Sequence, residues 1–191
     1  MVKIDRNEVV LCGRLMTIEE SHILKDDTFY KAVIAVEHRR NFTNYIPVIV
    51  EDRNITGNLK IGELTIVFGE FRTLPKKDIF GTEGIMAYVH AKEIKSVDTI
   101  CELNSVKIIG TVSRTPLLVK SGDVDITSVI VAVNRTHGKS SYIPCLCIDK
   151  NSEKANKLKV GDKVFVKGLF QSRFYKYKKA CLLYTSPSPR D

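Results

Sequence analysis

The sequence predicts an all-β protein made of two tandem five-stranded barrels, and three observations carry that prediction. In Leu158-Lys159-Val160-Gly161-Asp162-Lys163-Val164-Phe165-Val166-Lys167-Gly168, Gly161-Asp162 supplies a tight turn. Val164 and Val166 then alternate with Lys163, Phe165 and Lys167 at the two-residue period of a strand. The same pattern stands earlier, as Leu59-Lys60-Ile61-Gly62-Glu63-Leu64-Thr65-Ile66-Val67-Phe68-Gly69. The third observation is a duplication of the whole chain. Asn7-x-Val9 and Gly13 recur as Asn104-x-Val106 and Gly110, Ala35-Val36 as Ala132-Val133, and Tyr45-Ile46-Pro47 as Tyr142-Ile143-Pro144, each 97 positions on. From Gly62 to Gly161 and from Gly69 to Gly168 the offset is 99, so two residues are inserted between strands.

The elements follow in order. Glu8 to Leu15 and Phe29 to Arg39 are rich in β-branched and aliphatic residues, joined through a polar stretch containing Lys25-Asp26-Asp27. A hairpin turn over residues 38–44 leads into Tyr45 to Val50, with Ile46, Val48 and Val50 on one face and Tyr45, Pro47 and Ile49 on the other. Pro47 has no N–H and belongs at a sheet edge or a bulge. Asp52 to Lys60 is a connector, Glu63 to Arg72 the fourth strand, Leu74 to Gly84 a loop carrying Lys76-Lys77, and Ile85 to Ile94 the fifth. Lys95 to Thr99 is the linker. The second unit repeats the plan with Ser105 to Val112, Val124 to Arg135, a turn at Thr136-His137-Gly138-Lys139, and Tyr142 to Ile148. Between its third and fourth strands, 151–158 predicts a short helix capped by Asn151 or Ser152. Five strands with a helix or loop between the third and fourth is the OB-fold plan, whose face and loops bind oligonucleotides. The domains are 1–98 and 101–180, each of a size that can support its own small core.

Composition narrows the function. The chain has 191 residues, 43% hydrophobic and 27% charged, and no apolar run approaches the ~20 residues of a membrane span. Met1-Val2-Lys3-Ile4-Asp5 leads into a strand with no hydrophobic h-region, so a cytoplasmic protein is expected. None of the five cysteines forms a C-x-x-C pair. Cys145 and Cys147 align with Val48 and Val50, which makes them buried small hydrophobes rather than metal ligands. The four histidines, His22, His38, His90 and His137, make no H-E-x-x-H or H-x-E pattern. No nucleophile and base and no metal-ligand cluster is legible, so neither an enzyme nor a cofactor is expected.

Aromatics interleaved with cations point to a strand of nucleic acid. Phe170-Gln171-Ser172-Arg173-Phe174-Tyr175-Lys176-Tyr177-Lys178-Lys179 combines rings for base stacking with cations for phosphate. The run Lys176, Lys178, Lys179 reads equally as a solvated hairpin tip. Phe165, between lysines, reads as an oligomer-interface residue.

In order and spacing, Asn104-x-Val106, Gly110, Val131-Ala132-Val133-Asn134-Arg135, Tyr142-Ile143-Pro144 and Leu158-x-Val160-Gly161-Asp162 through Gly168-x-x-Gln171-Ser172-Arg173 resemble the bacterial single-stranded DNA-binding protein family. The resemblance spans 104–175 and repeats weakly over 7–70. It implies OB-folds that bind single-stranded DNA without sequence preference in replication, repair or recombination, in the cytoplasm at the nucleoid. Some members carry two OB-folds in one chain and dimerise to give four, and replication or repair proteins are the implied partners. Tyr142 falls where the family often has a stacking tryptophan, and Phe174 or Tyr175 where it has another. Arg135, His137 and Lys139 fall on the hairpin that grips the strand. This chain has no tryptophan. Lys167, Arg173 and Lys176 complete the set in the second unit, and Arg39, Arg40, Tyr45 and Arg72 are the corresponding candidates in the first. Because Tyr45 is its twin, Tyr142 reads both as a stacking ring and as a fold-determining aromatic. Two other functions stay open: an assembly subunit whose OB-folds bind protein, and an RNA-binding OB protein, because the fold serves both nucleic acids.

Residues 181–191, Cys181-Leu182-Leu183-Tyr184-Thr185-Ser186-Pro187-Ser188-Pro189-Arg190-Asp191, match residue for residue one reading frame of the transposon-end adapter used in shotgun sequencing. The natural protein is therefore expected to continue past Ala180, the second barrel to be cut before its last strand, and any strand over Leu182 to Tyr184 to be foreign. The charge is uneven as well. Residues 101–180 hold 12 Lys and 3 Arg against 6 acidic residues, whereas residues 1–100 hold 14 basic and 15 acidic residues. The net +8 of the chain therefore resides in the second unit, which is expected to be the principal binder.

Overall fold

The computed structural model describes residues 5–24, 27–38, 42–77, 83–99, 103–121, 123–135, 138–177 and 180–189, with the backbone alone for 38, 76–77, 83, 173–177 and 180–189. In the first half the strands are β1 (Arg6–Leu24), β2 (Asp27–His38), β3 (Phe42–Glu51), the two-residue β4 (Ile55–Thr56), β5 (Leu64–Lys77) and β6 (Glu83–Ser96), with a 3-10 turn at Asp52–Asn54. Antiparallel ladders join β1 to β2, β2 to β3, β5 to β6 and β1 to β5. β6 returns parallel to β3 through Val48↔Val89, Ile49↔His90 and Val50↔Ala91. Five strands thus close into a ring. Period-two alternation builds it: along β3, Ile46, Val48 and Val50 are buried while Tyr45, Pro47 and Ile49 are half-buried. Pro47 precedes the first residue of β3 that pairs with β6, so its missing N–H falls on an edge, as expected.

The second half repeats the order with β7 (Asn104–Val112), β8 (Leu117–Ser121), β9 (Val124–Asn134), β10 (Ser140–Ile148), α1 (Lys150–Ala155), β11 (Lys163–Tyr177) and β12 (Ala180–Pro189). β7 pairs with β9 and β11, β9 with β10, and β11 with β12. Among the described residues no ladder joins β10 to β12, and this ring stays open there. Gly62 and Gly161 take φ of +92° and +96° at the two turns, a conformation that glycine alone adopts freely. Gly110 lies against Ala132, whose carbonyl oxygen would sit 2.5 Å from an added Cβ, and its twin Gly13 lies against the oxygen of Ala35 in the same way.

The halves meet about a local twofold axis. β1 and β7 pair antiparallel with the repeat equivalents Val9 and Val106 opposite each other, and Asn7↔Ile108 is mirrored by Leu11↔Asn104. Nearby, Phe71 and Phe170, also repeat equivalents and both fully buried, pack with ring centroids 4.6 Å apart at 30°. Each ring's strand is held by an asparagine on another strand of its own half. Asn7 Nδ2 donates to the Phe71 carbonyl at 2.7 Å and Asn7 Oδ1 accepts from the Phe71 N–H at 2.8 Å; Asn104 makes the same pair with Phe170, both at 2.8 Å. One buried cluster runs through both halves.

Several expectations are corrected. Leu74 to Gly84 is not a loop throughout: β5 and β6 extend as a long hairpin to Lys77 and from Glu83, while the tip lies outside the described residues. β1 and β2 extend likewise as a second arm, Thr17↔Val33 to Leu24↔Asp27, and β8 was not foreseen. The linker shortens, since β6 runs to Ser96. The helix starts one residue before Asn151, and neither Asn151 nor Ser152 is its cap. That position is Asp149, at φ +52° with no side-chain cap bond, and its carbonyl accepts from the N–H groups of Ser152 and Glu153 at 2.8 and 3.3 Å. Ser152 is buried instead: its hydroxyl meets Thr127 Oγ1 at 2.7 Å and ties α1 to β9. The stretch 180–189 pairs with β11, Leu182 to Tyr184 included.

Candidate nucleic-acid interface

The hairpin between β9 and β10 is the first part of the site. It is closed by the Arg135 N–H donating to the Lys139 carbonyl at 2.7 Å, with Gly138 at φ +70° supplying the reversal. Lys139 is exposed, Arg135 is half-buried, and His137 lies outside the described residues. Tyr142 follows on β10, opposite Ala132 and 52% exposed. Its neighbours on the other face, Ser141 and Ile143, are fully buried. An exposed ring on a strand rigidly seated by its buried face is what base stacking needs. Asp5 fixes the end of this hairpin: it accepts from Asn134 Nδ2 at 2.8 Å and from Lys163 Nζ at 3.0 Å. Burial would raise its pKa, but the Lys163 ammonium and the Asn134 donors together hold it below the usual carboxylate range.

Tyr45, the twin of Tyr142, has other surroundings. Its backbone N–H donates to Ser172 Oγ at 2.9 Å, and the Ser172 N–H donates to Asn44 Oδ1 at 3.0 Å, so β3 of the first half is bound to β11 of the second. Tyr45 is half-buried there. Arg173, Phe174, Tyr175 and Lys176 continue β11 directly from that junction, paired with Tyr184, Leu183, Leu182 and Cys181; their side chains lie outside the described part. Arg39 and Arg40, at the hairpin before Tyr45, lie outside the described residues. By the same symmetry β5 packs against β10. The candidates therefore group across the halves: the β11 arm meets Tyr45, and the β5 arm meets the Tyr142 strand. Sequence reasoning missed Asn44 and Ser172, which make the junction. Their signal was available, because Asn44 is a polar residue on the core face of β3, in phase with Ile46, Val48 and Val50.

Arg72 is engaged within its own half. It pairs with Glu70 Oε2 at 3.1 Å, and Lys92 binds the same carboxylate. Both cations hold Glu70 below the usual carboxylate range against the effect of its burial. Beside them His90 Nε2 lies 3.8 Å from Glu51 Oε1. Burial and the Arg72 charge depress the His90 pKa more than Glu51 and Glu70 raise it. Lys167 is exposed on β11 opposite Lys107, and Phe165 beside it is 60% exposed opposite Ile109. Cys145 is fully buried and Cys147 half-buried, and burial pushes both thiols up, so neither supplies a thiolate at neutral pH. Among the described residues no three His, Cys, Asp or Glu side chains cluster as metal ligands, and no helix is long and apolar enough to cross a membrane.

Residues 103–180, which carry the exposed hairpin and Tyr142, match the model of the single-strand binding protein family. That match lies within the second half of the chain. Two solved structures share the fold of the whole chain. The wild-type single-stranded DNA binding protein of Thermus aquaticus superposes with a TM-score of 0.77 at 18% identity, over 97% of this chain and 90% of that one. A deletion mutant of the same protein superposes at 0.76 and 18%, over 97% and 92%. At this identity the likeness concerns the fold. No curated protein matches the chain.

Proposed function

We infer that the protein binds single-stranded DNA without sequence preference, as a binding protein and not an enzyme. The observation that carries this reading is the match of 103–180 to the single-strand binding family on the segment where Tyr142 stands exposed beside Arg135 and Lys139. Rings and cations so placed hold bases by their faces and phosphates by charge, neither of which reads sequence. On this reading residues 1–98 and 101–180 are two OB-folds. Residues 181–191 are adapter sequence. Two chains then give four OB-folds, assembled through the face on which Phe165 is exposed, and the protein serves replication, repair or recombination at the nucleoid with replication or repair proteins as partners.

Competition of oligothymidine and oligouridine for the chain, read by fluorescence anisotropy, tests the reading. Binding of oligothymidine that the DNA homopolymers displace equally well, and RNA less well, is expected. Preference for oligouridine, or no binding to either, overturns it. Sedimentation of the chain and of Phe165→Glu tests the dimer, which the variant is expected to dissociate.

A further inference from the structure

The β9–β10 hairpin that carries Arg135 and Lys139 is anchored by a residue of the other half. Asp5 stands just ahead of β1, and the β1–β7 ladder, which begins at Arg6↔Ile109, delivers it to the second half. Its side chain is 7% exposed. Oδ1 accepts from Lys163 Nζ at 3.0 Å, and Oδ2 accepts from Asn134 Nδ2 at 2.8 Å and from the Asn134 N–H at 3.3 Å. Asn134 passes the link on: its Oδ1 accepts from Ser140 Oγ at 3.0 Å, and Asn134↔Ser140 is the last pair of the β9–β10 ladder before the turn. One residue further in, the Arg135 N–H donates to the Lys139 carbonyl at 2.7 Å. The ends of β9, β10 and β11 are thus tied to one carboxylate. The first half is built differently. Glu37, Thr43 and Leu64 stand at the repeat positions of Asn134, Ser140 and Lys163, and neither an ionised Glu37 nor the Leu64 side chain can donate to a carboxylate.

We propose that Asp5 is a positioning residue of the single-strand site: its carboxylate strengthens the binding of a phosphate chain by holding the Arg135–Lys139 hairpin in its binding shape. The sign of the effect is what sets this role apart. A negative charge beside a phosphate path opposes binding if it acts through its field alone, and its removal would also release Lys163 as a free cation. Between Lys163 and the Asn134 donors, however, the charge of Asp5 is answered where it stands. What remains is the mechanical effect. A hairpin fixed at its base has less freedom to lose when a phosphate engages its tip, so binding costs less. Because Asp5 belongs to the first half and the hairpin to the second, the grip of one half depends on the docking of the other. The role rests on reading the protein as a single-strand binder.

Oligothymidine is titrated into the full chain and into its Asp5→Ala, Asn134→Ala and double variants, and amide hydrogen exchange is followed in the free proteins. Each single variant is expected to weaken binding by about fivefold or more, the lower end of the coupling between linked sites. The double variant is expected to bind no more weakly than the weaker single one, because both substitutions break the same link. Asn134→Ala alters no charge, so it separates the hairpin link from the field of the carboxylate. The Arg135 amide is expected to exchange faster in every variant, while the amides of β1 and β7 stay as protected as in the parent chain. Tighter binding by Asp5→Ala would give the residue a purely electrostatic role and overturn the proposal. Unchanged binding, or losses that add in the double variant, would do the same. Loss of β1 and β7 protection in both single variants would make the network a support of the fold rather than of the site, which also overturns it. A parent chain that does not bind oligothymidine overturns the single-strand reading together with this role, whereas parent binding that Asp5→Ala leaves intact overturns the role alone.

Discussion

Tyr142 and Tyr45 occupy one position of the repeat and meet different neighbours, which separates two roles that their sequence contexts left merged. Tyr142 is 52% exposed, whereas Tyr45 is half-buried at the junction with Ser172. Base–aromatic stacking is worth about 1 to 3 kcal/mol per base. Tyr142→Ala is therefore expected to weaken oligothymidine binding by that amount with thermal stability nearly unchanged, and Tyr45→Ala to act mainly on stability. Titration and thermal melting of both variants check this, and an unchanged affinity for folded Tyr142→Ala moves the site elsewhere. Asn104 is a residue of the opposite kind. Its side chain satisfies both the N–H and the carbonyl of the fully buried Phe170, so Asn104→Ala leaves two backbone groups without their partner, at about 1 to 3 kcal/mol for each such group. Because Asn7 does the same for Phe71, Asn7→Ala is expected to lower the denaturation midpoint comparably. The repeat marked both asparagines in the sequence, but their work is a long-range bond to another strand, which no local pattern encodes.

The β5–β6 hairpin couples stability to pH through His90. Its pKa is depressed in the folded state, first by burial and then by Arg72, while Glu51 and Glu70 oppose the shift. A base with a lowered folded pKa binds its proton more readily in the unfolded chain, so its contribution is fully present above the unfolded value of about 6.5 and declines as pH falls toward the folded one. Thermal melts from pH 7.5 to 5.5 are expected to show falling stability, with a shallower slope in His90→Asn; equal slopes contradict the assignment. Strands with one buried face were legible because hydrophobic alternation records burial. Tyr45 to Val50, the Gly62 and Gly161 turns and the core position of Cys145 stand as the sequence predicts. The arms were not. Thr17, Glu19 and Glu20 of β1 pair with β2 but are exposed, so no period marks them as strand. The helix start was missed because Asp149 stands at the N-cap position without a side-chain cap bond, whereas cap preferences report side chains.

At the scale of the molecule, the charge of one half has to be weighed against a site assembled from both. Residues 101–180 carry 12 Lys and 3 Arg against 6 acidic residues, and the first hundred are nearly balanced. Yet the β1–β7 ladder, the Phe71–Phe170 contact and the Ser172 junction bind the halves together, and splitting the chain would expose residues that are fully buried. The asymmetry is therefore tested in the full chain. The cations of the first half are also partly neutralised where they stand: Arg6 pairs with Glu8, and Arg72 and Lys92 with Glu70. Lys139 and Lys167, by contrast, are exposed in the second half, and Arg135 closes the hairpin that carries Lys139. For single strands, the logarithm of affinity falls with the logarithm of salt by about 0.7 per phosphate neutralised. Arg135→Gln with Lys139→Gln is expected to flatten that slope by about 1.4 if each grips one phosphate. Arg72→Gln is expected to leave the slope nearly unchanged, because its charge already answers Glu70. Oligothymidine titrations at several salt concentrations decide between the two. A slope that Arg72→Gln flattens as much as the hairpin pair does would mean that both halves carry the phosphate path equally.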